Sequence, residues 1–375
     1  MEIDLTISGD QMQSKLFSKT KLGLLELKNS IVMSPMTRCR AIHNIPNDLM
    51  ATYYGQRAEA GLIISEGTSP SANGLGYARI PGLFSDAQVE GWKKVTSAVH
   101  SNGSRIFAQL MHVGRIGHPN NLPNGAELVA PSAIIAKGQM WTDKDGMQDQ
   151  PMPREMNAKD LEQAKQEFVL ASENAIKAGF DGVELHGANG YLLEQFLNPA
   201  SNQRTDEYGG SFENRCRFVI EVAKAVASKI GKEKTGIRLS PYGAFNDVGP
   251  FPGTEEEYSY LAIALNEIGI VYIHLVDHSS MGAPTVESGT VKKIRENFKN
   301  ILILSGGYDK KRAEADLDSK AADLIAFGRP FLANPDLVTR FEKDAPLAAP
   351  DMSTFYSADE KGYTDYPVLA EAKTV

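Results

Sequence analysis

Cysteine is scarce in this chain. Only Cys39 and Cys216 occur among 375 residues, far apart and in no CxxC pair. Iron–sulfur clusters and structural zinc need clustered thiolates, so neither is expected here. Two isolated thiols suit a reducing compartment, and a cytoplasmic location is the expectation. No HExxH occurs, and no acidic cluster shares a stretch with the histidines, so no metal site is expected. A basic run is missing too, and the formal net charge is −8, which argues against nucleic acid or an anionic membrane as a partner. No apolar run is long enough to span a bilayer. The opening "MEIDLTISGDQMQSKLF" has neither a basic n-region nor an apolar h-region, so no secretory signal is expected there.

What is present is a rhythm. Short apolar, β-branched runs recur in "SIVMSPMTR", "LIISEGTS", "RIFAQLMHVGR" and "GVELHGANG". Four more follow in "TGIRLSPYG", "VYIHLVDHS", "ILILSGG" and "DLIAFGRP". Their nearly continuous apolar content is that of strands buried on both faces. Helical patterns lie between them. The clearest covers 157–178, where Asn157 and Asp160 make a capping pair and Gly179 a stop. Others run over "DAQVEGWKKVTSAVHSNG", "SFENRCRFVIEVAKAVASKIG" and "EEEYSYLAIALNEIG". Strand–helix alternation means parallel βαβ units, and eight of them predict an α/β fold of the (β/α)8 TIM-barrel type. The chain reads as one domain over 1–375. One stretch, 116–155, interrupts the alternation after the third strand. Its "ELVAPSAI" and "QMWTDKDGMQ" could pair as short strands, with "DKDG" as the turn. It is either a decorative loop or a lid over the barrel mouth.

Barrels of this kind carry chemistry at the C-terminal ends of their strands. The seventh strand ends in Gly306 and Gly307, and the eighth in Gly328 and Arg329. Glycines in those two places let backbone N–H groups approach a phosphate, and an arginine can add a bidentate contact. The fourth strand ends in His186, Asn189 and Tyr191. His186 and Asn189 read as neutral donors converging on one oxygen, with Tyr191 as a nearby proton donor. Such a set polarises a carbonyl and protonates its neighbour.

The motifs "SPMTR", "SEGTS", "AQLMHVGR", "ELHGANGYLLEQFLNPASNQRTDEYGGSFENRCRF", "IRLSP", "AFGRPFLANPDL" and "GYTDYP" occur in this order along nearly the whole chain. In this the chain resembles the old yellow enzyme family of FMN-dependent ene-reductases, in the branch of the bacterial N-ethylmaleimide and nitrate-ester reductases. The resemblance implies a tightly bound, non-covalent FMN across the barrel mouth and NADPH as reductant. Ser34, Pro35, Met36 and Thr37 match the loop along the flavin, with Thr37 on its O4. Gly67 matches the small residue beneath the ring, and Gln109 and Arg238 the contacts to its pyrimidine edge. Gly306, Gly307, Gly328 and Arg329 match the phosphate site already placed by barrel geometry. His186 and Asn189 match the pair that grips a carbonyl or nitro oxygen, and Tyr191 the proton donor. Tyr77, Met111 and Tyr356 fall where the family lines its substrate pocket. Met111 stands where many relatives have an indole, which reshapes that pocket. The loop "DHSSMGAP" also departs from the family pattern, and His278 has no family role. Region 116–155 corresponds to the family's capping hairpin. The implied partners are electrophilic alkenes or nitro compounds, taken in turn with the reductant by a monomer or homodimer.

Two other functions compete. A barrel lyase or isomerase would hold its substrate's own phosphate on the seventh and eighth strands. It would want a lysine or carboxylate base at a strand end, where no lysine stands and only Glu66 comes close. A flavin binder without turnover would not need Tyr191 and His186.

Overall fold

The computed structural model describes residues 14–369. Its centre is a closed barrel of eight parallel strands: β1 Ile31–Met33, β2 Leu62–Ile64, β3 Arg105–Leu110, β4 Gly182–Gly187, β5 Thr235–Leu239, β6 Tyr272–Val276, β7 Ile301–Ser305 and β8 Leu324–Phe327. β8 pairs with β1 and closes the ring. All eight lie where the apolar runs predict them. The helices are α1 Asp48–Gln56, α2 Asp86–Ser101, α3 Ala158–Lys177, α4 Leu192–Leu197, α5 Phe212–Ile230, α6 Thr254–Ile268, α7 Ser288–Asn297, α8 Lys310–Asp318, α9 Arg329–Ala333 and α10 Leu337–Glu342. α3 opens with the expected capping box, in which Asn157 accepts from the Lys159 and Asp160 amides and Asp160 answers.

Alternation along the strands sorts side chains into two cores. Ile31, Ile63, Ile106, Leu185, Ile237, Ile273, Leu302 and Ile325 join the large cluster shared with the helices. Val32, Leu62, Ile64, Phe107, Tyr272, Ile303 and Leu324 form a second cluster, filling the barrel's lower interior. The hairpin of Thr20–Leu22 with Leu25–Leu27 adds Leu22 and Leu27 to it. Two glycines make this filling possible. A Cβ on Gly182 would strike the Phe107 ring, and one on Gly236 the Tyr272 ring. The same alternation, one step further along, turns Gln109, Glu184, His186, Arg238, His274 and Ser305 into a polar upper interior. Parallel register sets His186 beside Arg238 and Arg238 beside His274.

The insertion between β3 and α3 contains a hairpin, but not the expected pairing. Gln139–Thr142 pairs antiparallel with Gly146–Asp149, around the anticipated turn. Val129–Ala130, from "ELVAPSAI", pairs instead with Arg154–Glu155, in parallel. The two ends of the insertion are thus laced to each other and the hairpin stands between them. Ile116, Leu128, Ala136 and Met140 of the insertion pack with Met111, Val113 and Tyr191.

The C-terminal segment is bound back to the barrel's first loop. Arg38 donates to the carbonyls of Phe355 and Gly362, and Arg40 to those of Thr354, Phe355, Asp359 and Lys361. Arg57 adds Phe331, Leu332 and Tyr363. All three guanidiniums are buried, and Arg57 lies 3.8 Å over the Tyr53 ring. Among the described residues no helix is long and apolar enough to cross a membrane.

Candidate active site

A cleft of about 650 Å³ opens at the C-terminal ends of the strands. It is lined by Ser34, Pro35, Met36 and Thr37 after β1, Asn189 after β4, and Arg238 on β5. Gly306 and Gly307 after β7, Gly328 and Arg329 after β8, and Tyr356 from the C-terminal segment line it too, whereas the expected Gly67, Tyr77, Gln109, Met111, His186 and Tyr191 are not in its lining. His278, Phe245 and Met281 line it as well.

Several donors in this cleft are unspent. Arg238 is 7% exposed, forms no ion pair, and its Nε has no hydrogen-bond partner among the described residues. Burial lowers its pKa, while Glu184 below it acts in the opposite direction. A buried guanidinium in that state is costly unless an acceptor arrives. No described carbonyl or side chain accepts from the amides of Gly306, Gly307 or Gly328. Gly306 has φ +118°, and a Cβ there would run into the Asp277 carbonyl. Only glycine fits that turn.

His186, Asn189 and Tyr191 follow directly from β4. The ring of His186 lies 4.9 Å from that of Tyr191. Among the described residues, His186 Nδ1 and Asn189 Oδ1 are buried without partners. Burial, with the Arg238 charge beside it, holds His186 well below the usual histidine range, so the imidazole is neutral at pH 7. Tyr191 is 8% exposed and its hydroxyl lies 3.0 Å from that of Tyr77. Burial raises its pKa and the bond from Tyr77 opposes that, so the phenol keeps its proton.

Gln109, Gly67 and Met111, also outside that lining, have partners of their own. Gln109 faces the barrel interior and donates to Glu184 Oε1 at 2.8 Å. Glu184 Oε2 lies 2.9 Å from His274 Nδ1, and His274 Nε2 lies 2.9 Å from Ser305 Oγ. This wholly buried chain had no signal in the sequence, because its members come from four strands. Gly67 is covered by Met111, whose sulfur occupies the space a Cβ would need. Met111 itself belongs to the apolar wall with Tyr77, Tyr191 and Met140. Among the described residues no group of three metal-ligating side chains occurs. The loop after β5 was missed entirely: Asn246 Nδ2 donates to the Asn189 carbonyl at 2.7 Å, and Phe245 lies 4.5 Å from His278.

Known proteins resemble this chain over nearly its whole length. Residues 15–348 match the family described as NADH:flavin oxidoreductase / NADH oxidase. A putative 12-oxophytodienoate reductase 3 from Oryza sativa subsp. japonica is 44% identical over 365 residues, covering 96% of this chain and 94% of its own. The solved structure of morphinone reductase superposes with a TM-score of 0.91 at 44% identity, over 95% of this chain and 96% of the other. The old yellow enzyme homologue from Zymomonas mobilis gives 0.90 at 42% identity, over 95% and 100%.

Proposed function

The chain belongs to the NADH:flavin oxidoreductase / NADH oxidase family, among the old yellow enzyme homologues, and from that premise we propose an FMN-dependent ene-reductase with Tyr191 as its proton donor. One observation carries the proposal. Among the described residues, buried nitrogens of Arg238 and His186 lack partners side by side at the barrel mouth, with Asn189 lining the same cleft and a protonated phenol beside them.

The residues present fit FMN. The free amides of Gly306, Gly307 and Gly328, with Arg329, would hold its phosphate. Arg238 would hold the pyrimidine edge of the ring, and Ser34, Pro35, Met36 and Thr37 its opposite side, while Gln109, expected at that edge, is engaged by Glu184 in the barrel interior. When bound, FMN supplies a ring nitrogen that takes hydride from a nicotinamide and gives it to an electron-poor alkene.

This chain's own residues do the rest. His186 and Asn189 hold the substrate's carbonyl or nitro oxygen, and their dipoles stabilise the negative charge that develops there. Tyr191 delivers its hydroxyl proton to the α-carbon. Met111, Tyr77 and Tyr356 shape the wall around the alkene, and Met111 lets that wall adapt. The 116–155 insertion caps the mouth of a single-domain, monomeric or homodimeric cytoplasmic enzyme. NADPH is the proposed reductant.

The test is the visible spectrum of the purified protein, followed by anaerobic addition of NADPH or, separately, NADH. Flavin bands that bleach and recover on adding cyclohexenone are the expected result. The reductant that bleaches faster identifies the preferred nucleotide. A colourless protein that cannot be reconstituted with FMN would overturn the reading.

A further inference from the structure

Glu194 lies on α4, three residues beyond Tyr191, and takes no part in the chemistry above. It is 3% exposed and forms no ion pair among the described residues. Its neighbours on α4, Leu192, Leu193, Phe196 and Leu197, are all buried and apolar. A leucine at 194 would be the cheaper occupant, because a buried carboxylate with no cation in contact is destabilising.

The carboxylate is held by three neutral donors. Gly190 N–H donates to Oε2, and Ser240 Oγ and Tyr258 OH donate to Oε1 at 2.6 and 3.2 Å. Ser240 Oγ in turn accepts the Asn189 N–H at 2.9 Å. Both amides of the Asn189–Gly190 turn are therefore fastened to one carboxylate, one directly and one through a hydroxyl. Both carbonyls are fastened too, by Asn246 Nδ2 and by Gln195 Nε2, each at 2.7 Å. The turn needs this. Asn189 has φ +61° and Gly190 φ +74°. Asparagine tolerates that region better than most side-chain-bearing residues, yet the conformation persists best where its surroundings over-determine it.

We propose that Glu194, acting through Ser240 and the Gly190 amide, is a positioning residue that holds Asn189 in the shape that grips the substrate oxygen. The proposal rests on the ene-reductase reading of Asn189. Only an ionised carboxyl accepts from all three donors at once; a neutral side chain of the same shape must turn an N–H towards one of them. The groups facing it are Arg238 from β5, Tyr258 from α6, and the Ser240 hydroxyl. Burial raises its pKa to about 7, so the device loosens as the medium turns acidic.

The test measures phenol binding to the FMN-loaded protein, read from the long-wavelength band that a phenol stacked on oxidised flavin produces. Ser240→Ala and Glu194→Gln should each weaken binding roughly three- to tenfold, the effect of one hydrogen bond, with FMN content unchanged. In an Asn189→Ala background, adding Ser240→Ala should do nothing more. The pH dependence of phenol binding near 7 should also flatten in Glu194→Gln. Wild-type affinity in Asn189→Ala would sink the gripping role itself. A weakened Asn189→Ala with unchanged Ser240→Ala and Glu194→Gln would overturn the positioning role alone. Additive losses in the double variant would overturn it too. If Glu194→Gln does not fold, Ser240→Ala and the double variant still decide.

Discussion

Burying an unpaired charge destabilises a protein, and Arg238 is 7% exposed and forms no ion pair among the described residues. Replacing it should therefore have opposite effects with and without cofactor. Arg238→Met is expected to raise the Tm of the FMN-free protein by a few degrees. The same change should weaken FMN binding about ten- to a hundredfold, as loss of hydrogen bonds to a charged donor does. Equilibrium dialysis and thermal unfolding check both signs, and a lowered apo Tm would contradict the account. Tyr191→Phe should retain FMN and nicotinamide oxidation yet slow enone reduction at least about tenfold, as loss of a general acid does. Stopped-flow spectroscopy separates the two half-reactions. His278 offers a pH test. Burial depresses its pKa from 6.5 to about 4, so in this window the unfolded chain binds a proton that the folded one refuses. Stability is then lost as pH falls from 6.5 towards about 4, by about 1.4 kcal/mol per pH unit for the one group. His278→Asn should flatten the Tm profile over that range, and parallel profiles would dismiss the effect. At this scale the sequence showed what was contiguous. His186, Asn189 and Tyr191 sit within six residues of one another. Glu194 was hidden because its meaning depends on Ser240 and Tyr258, 46 and 64 positions away.

The barrel strands were readable because each is buried on both faces, which leaves a continuous apolar run. The division of those runs into a lower apolar and an upper polar interior was not readable. It depends on register between strands, which no single strand records. Gly236 shows how tight that register is, since Tyr272 occupies the place of its absent side chain. Gly236→Ala should destabilise the barrel by about 1–3 kcal/mol through overpacking. Denaturant unfolding measures it; a neutral effect would mean the ring moves freely. The insertion defeated the pairing expectation for a related reason. Val129–Ala130 and Arg154–Glu155 are two residues each, the first buried and apolar and the second exposed and charged, too short to carry any periodicity. Only their closeness in space pairs them. The antiparallel hairpin between them had its turn written in "DKDG" and was legible to that extent.

At the scale of the whole molecule, the first strand's loop and the last described segment are one structure. Arg38 and Arg40 direct most of their donors to carbonyls between Thr354 and Gly362. Removing residues 351–375 should leave the helical circular dichroism largely intact, because the barrel and its helices end at α10. It should nevertheless abolish FMN retention, since the loop carrying Met36 and Thr37 loses its anchor; a truncated protein that stays yellow would refute this. The same tie sets an order in time. Synthesis runs from the N-terminus, so Arg38 leaves the ribosome more than three hundred residues before its partners exist. Until then the mouth has no finished rim, however complete the strands beneath it. The cofactor must wait until residues 354–362 have been made, and a chain stalled before them would be a folded barrel with nothing to hold.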